Sequence, residues 1–250
     1  MGEEENCMNK IEYRLSHIHL KVKNIKKAVA DLQNAGFTVE WGHKGAVSPN
    51  AFIWFNDHAF IEIYIVGGPA RLAPPFMRMG YGKEMGDRFR LWSNAPEGFS
   101  DFAIEPCDAK TPSIPNFEKV RQSLLQEGFS VSRKMIGSRR NPRDENVAFG
   151  FCGINPDSLP FLVTAYSIPQ IPEHIEHRNG VDRIYRMEVS CTKEDMAAMQ
   201  RLVGNDPKVM LIPGKETRIT KVVFAGKGES FVSPLIQGTY GMNVDFVSES

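Results

Sequence analysis

Residues 15–39 read LSHIHLKVKNIKKAVADLQNAGFTV, and a change of period inside this stretch decides the fold. Residues 17–22 alternate. Ile18, Leu20 and Val22 share one side of an extended chain, while His17, His19 and Lys21 share the other, as in a half-buried strand. From Ile25 the period lengthens: Ile25, Ala28, Val29 and Leu32 recur at helical spacing, with Asn24 as N-cap and Gly36 as left-handed stop. Strand, helix and strand are therefore expected. Residues 50–55 and 59–66, rich in β-branched and aromatic side chains, predict two further strands and complete a βαβββ unit.

Outward from this unit the same grammar returns. FSDFAIEP (99–106) precedes NFEKVRQSLLQEGFSV (116–131), with Asn116 as cap, Phe117, Val120 and Leu124 on one face, and Gly128 as stop. GFTV at 36–39 has become GFSV at 128–131. A long polar loop and strands at 147–152 and 161–166 finish this second unit. A shorter third copy begins with RIYRMEVS (183–190). Thr192 to Asp195 forms a capping box there, and Met196, Met199 and Val203 form a stripe ending at Gly204, before strands at 209–212 and 218–224. Proline-rich stretches at 67–75 and 169–172 separate the copies. The expected organisation is a first module at 11–68, a linker at 69–98, a second module at 99–168 and a linker at 169–180. A third, partial module with a C-terminal tail fills 181–250. The alternative is an ordinary α+β sandwich with chance internal similarity.

The chain has 250 residues, 42% hydrophobic and 24% charged, enough for a full core and too balanced for disorder. Lys plus Arg and Asp plus Glu both total 30, so no long-range field gathers nucleic acid or an anionic membrane. A small molecule is the expected partner. Cys7, Cys107, Cys152 and Cys191 lack C-x-x-C spacing and read as reduced, buried thiols. The acidic start MGEEEN has no apolar signal region, and no run approaches the roughly 20 apolar residues that cross a bilayer. A cytoplasmic location is expected. No G-x-S-x-G, G-x-G-x-x-G or P-loop motif supports a serine hydrolase, dinucleotide or nucleotide reading.

The alternation also sorts the strands' faces. In FIEIYIV (60–66), Ile61, Ile63 and Ile65 oppose Phe60, Glu62 and Tyr64, so the face away from the helix carries His17, His19, Glu62 and Tyr64. Either Phe52 and Trp54 or their neighbours join them. Aromatics beside ionisable groups describe a pocket. A buried Glu62 needs a metal, a cationic partner or a wet cavity, because a lone buried carboxylate costs several kcal/mol.

Several motifs, taken in order, resemble the glyoxalase-like branch of the vicinal oxygen chelate superfamily, the group that includes glyoxalases, bleomycin-resistance proteins and dioxygenases. The opening run resembles that branch's first strand and helix. HKGAVSPN (43–50) resembles its H-x-G-x-G-T-x-N loop, keeping His43, Gly45 and Asn50 with Ser48 for threonine. FIEIY (60–64) resembles its fourth strand, GSRRNPRDE (137–145) its G-S-R-x-R-P-D-G loop, PFLV (160–163) its P-F-F-I strand and HRNG (177–180) its H-P-N-G turn. The resemblance implies an α+β fold of repeated βαβββ modules, whose curved mixed sheets enclose a cup with helices on the outer faces. It also implies a divalent metal (zinc, iron, manganese or nickel) at the base of the cup, with ligands from the first and last strands of each module.

Carried over by position, His17 and Glu62 are the first module's metal ligands, and Asp101 and Thr164 stand where the second module's would be. A hydrogen-bonded pair in a wet cleft is the other reading of His17 and Glu62. His19 is expected to line the cavity. His43 and Glu62 are the candidate catalytic residues, with His43 and Asn50 read equally well as loop scaffold. Asn50, Trp54, Tyr64, Arg139 and Arg143 are candidate substrate contacts, the arginines as clamps for a carboxylate. A solvated charged loop also explains Arg139, Arg140 and Arg143, and His174 and His177 read as a polar linker. Two functions follow. One is a metal-dependent lyase, isomerase or dioxygenase acting on a small oxygen-rich metabolite. The other is a non-catalytic protein that sequesters a drug or metabolite, as monomer or homodimer.

Overall fold

The computed structural model describes residues 11–44, 48–107, 116–227 and 238–249; Cys7 and Gly45 lie outside them. Strand β1 (Tyr13–Lys21) and helix α1 (Ile25–Asn34) meet where the sequence changes period. The Asn24 side chain accepts the Lys27 N–H at 3.1 Å, and α1 buries Ile25, Ala28, Val29 and Leu32, the stripe its spacing predicts. Gly36 takes φ +95° after it, a left-handed turn that leads into β2 (Glu40–Trp41), β3 (Asn50–Ile53) and β4 (Phe60–Tyr64).

The second set of elements comprises β5 (Gly98–Pro106), α4 (Phe117–Gln126), β6 (Ser130–Val131), β7 (Met135–Arg140), β8 (Asn146–Cys152), β9 (Ile154–Asn155) and β10 (Phe161–Val163). Eight of these strands form one strongly curled half-barrel in the order β2-β3-β4-β1-β5-β10-β8-β7. At its centre β1 runs parallel to β4 and antiparallel to β5. The register sets His17 across from Phe60 and His19 across from Glu62, and, in the second set, Ala103 across from Phe161.

The convex face of this sheet is apolar. Ile18, Leu20, Ile61, Ile63, Phe102 and Ile104 merge there with the buried faces of α1 and α4 into one core. Burying a side chain of this size is worth about 1.5–3 kcal/mol, so alternation along β1 and β4 fixes which face turns inward. A four-stranded sheet also joins this core, built from β11 (Val181–Cys191), β12 (Val209–Pro213), β13 (Arg218–Gly226) and β14 (Val244–Ser248). Helix α5 (Lys193–Val203) touches β1, β11 and β12.

Four expectations are corrected. First, the residues expected as a linker at 69–98 contain two helices, α2 (Ala73–Tyr81) and α3 (Lys83–Asn94). Pro74 and Pro75 sit in the first turn of α2, where a missing N–H leaves no bond unmade, so the prolines begin a helix rather than prevent one. Second, the long polar loop after 131 contains β7, an edge strand paired along its length with β8. Third, the 181–250 segment has the predicted element order but a different sheet. Its strand order is β12-β11-β13-β14, so β11 pairs directly with the strand that follows its helix, unlike β1. Fourth, Asn116 occupies the N-cap position of α4 without a side-chain cap bond, whereas Thr192 accepts the Asp195 N–H at 3.2 Å as expected.

Candidate functional site

The concave face of the half-barrel encloses a cavity of about 560 Å³. Its floor is the polar side of β1 and β4. His17 and His19 are buried, and the Nε2 atom of each lies 3.6 Å from Glu62 Oε2. One donor atom from each of the three lies within 4.8 Å of the others. A metal with bonds near 2.1 Å holds adjacent donors about 3.0–3.4 Å apart, so a small inward movement would bring the set to bonding geometry. Asp101, the expected second-module ligand, is elsewhere engaged: Arg88 Nη1 donates to both its oxygens at 2.9 Å and Trp92 Nε1 to Oδ2 at 2.6 Å. Thr164 is occupied too, its hydroxyl accepting the Gly150 N–H at 2.9 Å and donating to the Ala165 carbonyl at 2.7 Å. His19, expected only to line the cavity, is the third member of the cluster. It shares the face and the register of Glu62, which is the sequence signal that points to it.

The electrostatics suit cation binding. Burial, with the neighbouring His19, lowers the His17 pKa to about 3 against the opposing pull of Glu62, so this imidazole is neutral with a lone pair to offer. Burial alone would raise Glu62, but His19, His17 and the Asn50 amide outweigh it and bring the carboxyl to about 2. An anion therefore faces neutral nitrogen. His19 Nδ1 is buried, and among the described residues no hydrogen-bond partner ties up that ring nitrogen. Two imidazoles and a carboxylate are a donor set for zinc, iron, manganese or nickel, and the residues present fit such an ion.

Asn50 and His43 hold the carboxylate from behind. Asn50 Nδ2 donates to Glu62 Oε1 at 2.8 Å, and Asn50 Oδ1 accepts from His43 Nδ1 at 3.2 Å. This leaves Oε2 aimed at the histidines. Asn50 lines the cavity and His43 does not, so His43 reaches the floor only through Asn50; its ring sits on the loop before β3 rather than on a floor strand.

The walls are aromatic. Phe52, Trp54 and Phe60 form one cluster with Tyr166 against it, which resolves the open choice on β3: Phe52 and Trp54 face the cavity, and Ala51 and Ile53 face the core. Phe60 stacks on His17 at 4.7 Å, and Trp54 Nε1 donates to Glu40 at 2.7 Å. Tyr64 contacts the His19 ring at 4.9 Å, and its hydroxyl meets Ser100 Oγ at 3.0 Å. Burial keeps the Tyr64 and Tyr166 phenols protonated far above neutral pH. The opposite wall is Phe151, Phe161 and Val163 with Trp92 of α3, and Ala103 and Phe89 pack with them in one apolar cluster. Those helical residues and Arg88 lie outside the sequence expectation, although Met85, Phe89 and Trp92 recur at helical spacing.

The two expected arginines part company. Arg139 is buried and lines the cavity, whereas Arg143 is exposed and pairs with Glu145 at 2.9 Å. His177 is buried as a strut, Nδ1 accepting the Thr38 N–H at 2.9 Å and Nε2 donating to the Trp54 carbonyl at 3.0 Å. Cys152 and Cys191 are buried thiols, Cys152 pushed up to about 12 by burial; Cys107 is exposed, contrary to expectation, because it follows the end of β5. Among the described residues, no helix is long and apolar enough to cross a membrane.

A curled mixed sheet with a polar floor and helices on its convex side defines a class that comparison with known proteins makes specific. Residues 15–205 match the family model described as a glyoxalase-like domain. The chain belongs to that family, within the vicinal oxygen chelate superfamily. No curated protein matches it in sequence. Among solved structures, a hypothetical protein from Staphylococcus aureus superposes with a TM-score of 0.66 at 14% identity, over 95% of this chain and 100% of that one. Homoprotocatechuate 2,3-dioxygenase from Brevibacterium fuscum, in complex with 3,4-dihydroxyphenylacetate, superposes with a TM-score of 0.51 at 8% identity, over 88% of this chain and 66% of that one. At these identities the likeness is one of fold.

Proposed function

We propose that this chain is a metal-dependent enzyme, a lyase, isomerase or dioxygenase, acting on a small oxygen-rich metabolite at a divalent ion held by His17, His19 and Glu62. The observation that carries the reading is the convergence of these three side chains on the floor of an aromatic-walled cavity. A divalent ion bound there would polarise vicinal oxygens of a substrate and stabilise negative charge developing on them. The rest falls to the chain's own side chains. Asn50, backed by His43, holds the Glu62 carboxylate through Oε1 so that Oε2 faces the ion site. Phe52, Trp54 and Phe60 on one side and Phe151, Phe161 and Val163 on the other exclude water and hold a flat substrate between them. Tyr64 keeps its proton and is a hydrogen-bond donor beside His19.

The aromatic walls equally favour a sequestering protein that uses the cup without chemistry. The two readings separate in one experiment. The protein is loaded in turn with Mn(II), Fe(II) and Zn(II) and screened with catechols for oxygen uptake and with α-oxo aldehydes for loss of absorbance. Turnover that disappears in Glu62→Ala supports the enzyme. The absence of turnover with every ion, together with thermal stabilisation by the same compounds in chelator, removes catalysis and leaves the binder.

A further inference from the structure

Among the described residues two arginines are buried, and only one of them has a counter-ion there. Arg88, fully buried, faces Asp101. Arg139 is 6% exposed and, among the described residues, forms no ion pair. Its partners are neutral: Nη1 donates to the Gly42 carbonyl at 2.6 Å and Nη2 to Gln170 Oε1 at 3.2 Å, while the guanidinium lies 4.8 Å over the Phe52 ring and 5.5 Å from that of Tyr166. The setting is rigid. Gln170 is locked with its oxygen toward Arg139, because its Nε2 donates to the carbonyls of Ile168 and Pro169 and its oxygen also accepts from Asn141.

Alternation along β7 explains why this arginine was chosen. Arg139 turns into the cavity, and Arg140, one residue on, turns out to solvent and pairs with Asp144. A guanidinium has five N–H donors, and its neutral acceptors, the Gly42 carbonyl, Gln170 Oε1 and the Tyr166 hydroxyl, do not exhaust them. A buried, permanently charged group with unspent donors and no counter-ion is costly unless an anion completes it. The anion must come from the cavity, since Arg139 and Gln170 both line it.

Geometry then fixes the shape of the ligand. Phe52, beneath the guanidinium, is the direct cross-strand partner of Glu62. Arg139 and the Glu62 carboxylate therefore line the same cavity from neighbouring positions, with the Phe52 ring between their strands. We propose that the cavity takes a small planar carboxylate, its anionic end on Arg139 and its oxygen-bearing end at His17, His19 and Glu62. The inference rests on the proposed metal site for the second end alone.

The test is a calorimetric titration with 3,4-dihydroxybenzoate and with its methyl ester, the same ring and vicinal oxygens without the charge. Each is run on Mn(II)-loaded protein and on protein in chelator, for wild type, Arg139→Gln, Arg139→Lys and Arg143→Gln. The expected result is at least a tenfold preference for the acid in wild type and Arg143→Gln, a smaller preference in Arg139→Lys, and none in Arg139→Gln, whose affinity for the ester stays within about twofold. The acid preference persists in chelator. Equal binding of acid and ester by wild type, or a preference that survives Arg139→Gln, overturns the proposal. A preference that vanishes with chelator places the carboxylate on the metal instead, which overturns the Arg139 assignment and leaves the metal site standing. A preference that depends on Arg139 in protein that binds no Mn(II) has the opposite meaning. Should Arg139→Gln fail to fold, the ratio of acid to ester in wild type and Arg139→Lys still decides.

Discussion

On the first half of the cavity, His17 lies across from Phe60 and His19 across from Glu62; on the second, Ala103 lies across from Phe161, repeating the frame with an alanine where the first half has a histidine. The nearby acid of the second half, Asp101, is consumed by Arg88 and Trp92. The same strand arrangement thus carries three potential ligands on one side and an apolar wall on the other. The resemblance implied ligands from both modules. Under the proposed function a second histidine on β1 stands in for the missing pair, and the other half shapes the pocket and anchors α3, which the Lys21 ammonium also holds through the Trp92 and Ser93 carbonyls at 2.6 and 2.8 Å.

That contrast can be broken most severely at Arg88. Arg88→Ala leaves Asp101 buried without its cation, and the expected loss is about 3–5 kcal/mol in denaturant unfolding. Arg88→Met combined with Asp101→Leu should recover much of it, because the charge and its partner leave together. A loss under about 1 kcal/mol for Arg88→Ala would show that α3 is not pinned by this pair. A smaller effect is expected behind the floor. Asn50→Ala should weaken divalent-ion affinity about 10- to 100-fold without altering the number of ions bound, because a ligand loses its orienting partner. His43→Ala, one hydrogen bond further out, should cost less; an equal or larger cost would mean that His43 acts on the floor directly.

The smallest effect is a pH dependence to which the floor of the first half contributes through His17 and Glu62. His17 titrates near 3 in the folded protein and at 6.5 in the unfolded chain, so below 6.5 the unfolded chain takes the proton first and stability falls with pH. Glu62, near 2 folded and 4.5 unfolded, contributes stability above 4.5 that is lost as pH falls toward 2. Both act in the same direction. In metal-free protein, stability should drop by about 1 kcal/mol per pH unit between 6.5 and 5. His17→Asn should reduce the slope in that interval to the part that His58 and His177, also lowered by burial, contribute, and leave the loss below 4.5; an unchanged slope would contradict the burial of a neutral His17.

Where a face abuts an apolar core, the sequence was readable. The stripes on β1, β4, α1 and α4 gave the strands, helices and inward residues because alternation against hydrocarbon leaves a clear period. The readings failed where a segment borders the cavity or where proline has two uses. MIGSRR at 135–140 is an edge strand that buries only Arg139 and so carries no apolar period, which makes β7 read as loop, and the prolines of APPFMRMGY begin α2 yet look like punctuation. His19 was on the correct face from the start. What the sequence lacked was the register across β1 and β4 that sets it beside Glu62. Likewise, nothing in the spacing of Arg88 and Asp101 announces that α3 folds back to join them.

Metal stoichiometry in wild type, His17→Ala, His19→Ala and Glu62→Ala, by equilibrium dialysis against Mn(II) and elemental analysis, addresses the single-sided site most directly. One ion per chain is expected in wild type, and at least a hundredfold weaker binding in each variant, His19→Ala included. One ion held with undiminished affinity by His19→Ala, or none held by wild type, would contradict the single-sided site.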